Sequence, residues 1–207
     1  MISIDGALSQ MRTYRDVFEE NYRAVPELRG SGRGVRMRYV YIGLWYVWDL
    51  PPRRIRAVKW FVGLACALCV LLFFAGGSIH SPLNHARYVQ LPGTLSIAAL
   101  VFEVFGAAQF CAAKERMTCM DFRDIRGKLL AAPLLHGILL LCAAAAAVWQ
   151  VIRTGFLMKD VVVILCYFCS ALLSLALFFC IRSLSYRTDK NADAGIGLDG
   201  GDQETGG

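Results

Sequence analysis

Four predominantly apolar blocks, each about as long as a helix must be to cross a lipid bilayer, limit what this chain can fold into. They cover 60–79 (WFVGLACALCVLLFFAGGSI), 93–113 (GTLSIAALVFEVFGAAQFCAA), 129–152 (LLAAPLLHGILLLCAAAAAVWQVI) and 161–181 (VVVILCYFCSALLSLALFFCI). About 20 apolar residues suffice for a helix to span roughly 30 Å of hydrocarbon. A lipid-exposed strand would leave its backbone polar groups unpaired unless it closed into a barrel. Barrel strands alternate apolar and polar residues, and these blocks do not. Across the whole chain 57% of residues are apolar and 18% charged, against roughly 45–50% and about 25% in soluble domains. The sequence therefore predicts an all-α membrane protein, a four-helix transmembrane bundle over 60–182.

The cations orient it. Eleven Lys and Arg precede the first block, five lie in 114–128 and three follow the fourth block, whereas the other two connections hold one and two. Positive residues stay on the cytoplasmic side, so N-in/C-in topology in the cell membrane is expected. The same flanking positions account for the net charge of +6 as contacts to anionic headgroups, and no separate basic stripe with stacking aromatics argues for nucleic acid. The first 35 residues contain no apolar signal core, so the first block is expected to act as the targeting signal.

Four segments complete the expected organisation. Residues 1–35 form a cytoplasmic N-terminal segment. Within it, 7–25 reads as an amphipathic helix with Leu8, Met11, Val17, Phe18, Tyr22 and Val25 near one face, followed by a flexible Gly-containing link over 29–34. Residues 36–59 form an aromatic and basic juxtamembrane element, with Tyr39, Tyr41, Trp45, Tyr46 and Trp48 ahead of Pro51–Pro52 and Arg53, Arg54 and Arg56. Aromatic and β-branched residues favour strand there. They suit the headgroup region or a partner's surface. The 114–128 connection is expected to carry a short surface helix, and the Gly-rich, acidic tail within 183–207 to be disordered. Pro133 is expected within the first turns of the third span, and Pro92–Gly93 at the start of the second.

Few residues could carry chemistry. Glu103 sits mid-span, where a charge is costly, so it should face the bundle interior. Ser96, Glu103, Gly106, Ala107 and Phe110 share its helix face. His136 is the one ionisable side chain within the third span, and contact with Glu103 is expected. The pair reads either as a hydrogen-bonded packing element or as a proton or cation relay. Cys66–Cys69 and Cys166–Cys169 have C-x-x-C spacing, but inside apolar helices cysteine behaves as a small hydrophobe. Cys166 and Cys169 are the redox alternative. His80 and His85 share a connection without accompanying ligands, so no metal and no cofactor is expected. The reading is a non-enzymatic accessory or scaffolding subunit of a membrane complex, with the bilayer and a membrane protein or a second copy as partners. A small transporter or channel subunit using Glu103 and a membrane thiol oxidoreductase are the alternatives.

Overall fold

The structure, a computed structural model, describes residues 14–28, 35–155 and 157–189. Residues 7–13 of the expected N-terminal helix, the 29–34 link and the 191–207 tail lie outside the described residues. Two compact units form, divided mainly after Val47, with Arg116–Met120 and the residues from Arg187 belonging to the first.

The first unit holds helix α1 (Tyr14–Asn21) and strands β1 (Tyr22–Leu28) and β2 (Val35–Tyr41), which pair antiparallel from Tyr22 opposite Tyr41 to Leu28 opposite Val35. The amphipathic helix expected over 7–25 thus ends at Asn21, where the Asn21 amide caps it by donating to the Val17 carbonyl at 2.7 Å. Pro26 fits the change: inside a short helix exposed to water it would remove a backbone hydrogen bond and crowd the preceding turn, and it biases Val25 toward extended backbone. Strands β3 (Trp45–Trp48), β4 (Arg116–Met117) and β5 (Tyr186–Asp189) make a second sheet in the order β4-β3-β5. The flanks are therefore not purely helical. The 114–128 connection supplies a two-residue strand and, from Cys119, the start of the helix Cys119–Thr154, so the helix expected there is part of a long one and not a separate surface helix. The C-terminal segment is ordered as strand through Asp189.

The second unit is a helical bundle: α2 (Pro52–Ser78), a single 3₁₀ turn (Pro82–His85), α3 (Arg87–Ala112), α4 (Cys119–Thr154) and α5 (Met158–Ser183). All four long helices are apolar enough to cross a membrane. Each overruns its apolar block. Arg53, Arg54 and Arg56 belong to the first turns of α2, because Pro51 and Pro52 suit a helix start, so the juxtamembrane element ends earlier than expected. Pro92 lies inside α3 and Pro133 well inside α4, contrary to their expected places near helix ends. A proline inside a membrane helix frees one carbonyl, which close neighbours make tolerable. Gly155, at φ +97°, closes α4 with its N–H donating to Val151 at 3.0 Å.

The helices form a closed ring, α2 next to α3 and α5, and α4 next to α3 and α5. Small residues set the close approaches. A Cβ on Gly76 would meet the Cys166 Cβ at 3.0 Å, one on Gly106 the Lys128 Cβ at 3.1 Å, and one on Gly137 the Leu175 Cγ at 2.8 Å. The shared core joins Phe73, Leu83, Leu100, Leu140, Ala144, Val163 and Tyr167. Only 28–44% of each apolar window is buried within the chain, and Trp60, Leu64, Leu71 and Ile152 face outward. That much outward apolar surface needs lipid around it, which marks this as a membrane protein.

Candidate functional site

One polar cluster lies where the two diagonals of the ring cross, and every membrane helix contributes one side chain to it. Glu103 comes from α3, Ser174 from α5, Cys69 from α2 and His136 from α4, and all four are completely buried. Glu103 and Ser174 sit at equal distances along α3 and α5, which run in the same direction, so they meet at one depth. The Ser174 hydroxyl donates to the carboxylate with both oxygens at 3.1 Å. Ser174 has one proton, and it is directed at Glu103. The contact of 3.5 Å between Cys69 Sγ and Ser174 Oγ is then read as thiol to hydroxyl. Ser170, one turn earlier, donates to the Cys69 carbonyl at 3.2 Å and ties α5 to α2 beside the cluster.

His136 completes the arrangement without a hydrogen bond. Its Nδ1 lies 4.0 Å from Glu103 Oε2, beyond hydrogen-bond range. Neither ring nitrogen has a partner among the described residues. The ring packs edge-on to Phe73, with centroids 6.1 Å apart. The structure thus brings Glu103 and His136 together, as the sequence predicts, but joins Glu103 more tightly to Ser174. The face predicted for α3 is buried throughout, from Ser96 to Phe110.

A second polar set closes the opposite end of the bundle from Lys59. The Asn84 amide donates to the carbonyls of Gly76 (3.0 Å), Ile79 (2.9 Å) and Gly77 (3.4 Å). These are the orphan acceptors at the end of α2. Tyr167 Oη donates to Asn84 Oδ1 at 3.0 Å and orients the amide. Beside it the buried Ser81 hydroxyl donates to Asp160 at 2.5 Å and accepts from the Leu83 N–H at 3.1 Å. Sequence reasoning missed Asp160, Asn84 and Tyr167, because each looks like an ordinary edge or loop residue. Ser174 was missed as well, since a serine in an apolar helix looks like any small packing residue.

The other candidates are spread apart. Cys166 is half-buried and Cys169 exposed on α5, and all eight cysteines are free thiols. His80 and His85 are exposed, and no group of three metal-capable side chains occurs among the described residues. In the first unit Tyr39 is exposed, Trp45 and Tyr46 are half-buried, and Tyr41 is buried. Tyr41 Oη donates to Leu44 at 2.6 Å and accepts the Cys119 N–H at 3.0 Å. In the second unit Trp48 is buried against Phe110 and Phe122, while Arg53, Arg54 and Arg56 stay exposed.

Register makes the β1–β2 hairpin two-faced. Side chains of directly opposed residues share a face, so Ala24, Pro26, Val35, Met37 and Tyr39 lie on one side and Arg23, Val25, Arg38 and Val40 on the other. Val35, Met37 and Tyr39 are each about 60% exposed. Comparison with known proteins adds no identity to this geometry: no family model, no curated protein and no solved structure matches the chain.

Proposed function

We infer that the chain is a non-enzymatic accessory or scaffolding subunit of a membrane complex, N-in/C-in in the cell membrane. The observation that carries this reading is the apolar row Val35, Met37 and Tyr39, left open to solvent on one face of the hairpin. A row of this kind fits a partner's apolar groove, with aromatic residues supplying the anchor. The polar cluster supports the reading from the other side. Glu103 is engaged through both oxygens and sealed on four sides by helices, as a packing lock requires. A photo-crosslinker placed at Met37, in cells with native expression levels, should capture one membrane protein or a second copy. Capture should disappear when Val35 and Tyr39 are changed to Ser. Crosslinks to lipid alone would end the scaffolding reading. A reporter fused after Lys190 should remain cytoplasmic, and its appearance outside would overturn the orientation.

One observation favours a second reading, a transporter or channel subunit. His136 Nδ1 lies 4.0 Å from Glu103 Oε2, so a small closure of that gap would let a proton pass directly between the two. Under that reading Glu103→Gln abolishes proton flux in proteoliposomes and leaves the fold intact. Flux equal to that of the unaltered protein would remove it.

A further inference from the structure

The second unit carries a groove of about 770 Å³ on its outer face, at the end of the bundle where α2 begins and α3 finishes. Arg56 and Lys59 stand at its mouth, and Trp60, Gly63, Leu64 and Cys111 continue it along the helices. We propose that this groove seats an anionic glycerophospholipid, its phosphate between Arg56 and Lys59 and one acyl chain along Gly63, Leu64 and Cys111. The inference rests on the membrane setting of the bundle and not on the scaffolding role.

The mouth is built to hold an anion. Lys59 Nζ donates to the Ala113 carbonyl at 2.5 Å, and the Lys59 carbonyl meets Cys111 Sγ at 3.4 Å. The ammonium is thereby fixed at the end of α3 with two of its three protons still available. Arg56 places Nε on the Pro52 carbonyl at 3.3 Å, and no ion pair of Arg56 occurs among the described residues. Its terminal nitrogens form the planar fork that fits a phosphate. No acidic side chain lines the groove, and the first turn of α2 contains none. Positive charge therefore faces the mouth without an internal counterion. Beyond the cations the walls are apolar, which a soluble phosphate would not use and an acyl chain would. Trp60, 80% exposed, stands beside the cations as an interfacial indole does at the headgroup level.

The glycine provides the test. A Cβ on Gly63 would meet Cys111 Sγ at 3.6 Å, ordinary contact, so Gly63→Ala fits while Gly63→Leu fills the groove. Full-length protein in mild detergent is titrated with phosphatidylglycerol or phosphatidylcholine and read by native mass spectrometry. Phosphatidylglycerol carries one net negative charge more than phosphatidylcholine, and at about fivefold per unit of charge at a cationic site it should bind about fivefold more tightly. Arg56→Gln should weaken phosphatidylglycerol about fivefold and phosphatidylcholine less, because the choline cation already offsets the charge of its phosphate. Gly63→Leu should weaken both lipids, and Gly63→Ala neither. Equal affinity for the two lipids, or unchanged binding to Gly63→Leu, overturns the proposal. Displacement of phosphatidylglycerol by millimolar inorganic phosphate would make the mouth a soluble-anion site and equally overturn it.

Discussion

Ser174→Ala is the sharpest perturbation of the polar cluster, because it removes one hydroxyl and almost no volume. In the folded bundle that hydroxyl bridges α5 to both carboxylate oxygens of Glu103 at 3.1 Å and touches Cys69 at 3.5 Å. Side-chain hydrogen bonds inside membrane proteins average about 0.6 kcal/mol and reach about 1.7 kcal/mol. This bond belongs at the upper end, because Glu103 is completely buried and losing its donor leaves a buried polar group unsatisfied. Ser174→Ala should therefore cost about 1–2 kcal/mol. The single change confounds this with the fate of the abandoned carboxylate, so the informative quantity is the coupling in a cycle with Glu103→Ala. Cavity and desolvation terms peculiar to each site cancel there. A coupling of about 1 kcal/mol is expected, read from reversible unfolding of the purified protein in mixed micelles titrated with denaturing detergent. Coupling within about 0.3 kcal/mol of zero would refute the idea that these two side chains lock α3 to α5.

Two further substitutions probe the packing that surrounds the cluster. Gly137→Ala sets a Cβ 2.8 Å from Leu175 and 3.2 Å from the Ala171 carbonyl, so it should destabilise by about 1–3 kcal/mol. Gly93→Ala, with nothing within 4 Å, should be neutral or stabilise by up to about 1 kcal/mol. Equal effects in a thermal unfolding series would contradict the close approach of α4 and α5. Asn84→Ala should cost about 1–2 kcal/mol by stranding the carbonyls at the end of α2, and Tyr167→Phe about 0.5–1.5 kcal/mol. If Tyr167→Phe proved the costlier of the two, the amide would not be the central group of that cap.

The helices and their apolar character were legible because lipid imposes a length and a composition on any span. The limits of the helices were not. Backbone pairing continues past the greasy block wherever residues tolerate it, as at Pro52 and Cys119. The strands of the first unit were foreshadowed by the aromatic run 36–50, yet the turn from helix to strand at Tyr22 went unseen. Local amphipathic periodicity there competes with Pro26, and Pro26 prevails. Glu103 announced itself, since an isolated carboxylate in a span must turn inward. Its main partner did not, because a serine in an apolar helix looks like any small packing residue.

By itself, the sequence determined that four segments are helices suited to a bilayer and that Glu103 and His136 face the interior of the bundle. Both follow from solvation, which acts on each segment separately. Which side chains meet depends on how the four helices are arranged around one another. Only the tertiary structure put Ser174 and Cys69 beside Glu103, gave Asn84 three carbonyls to hold, and opened a cationic groove between α2 and α3. Contacts across the bundle join residues far apart in the chain, and no local pattern records them.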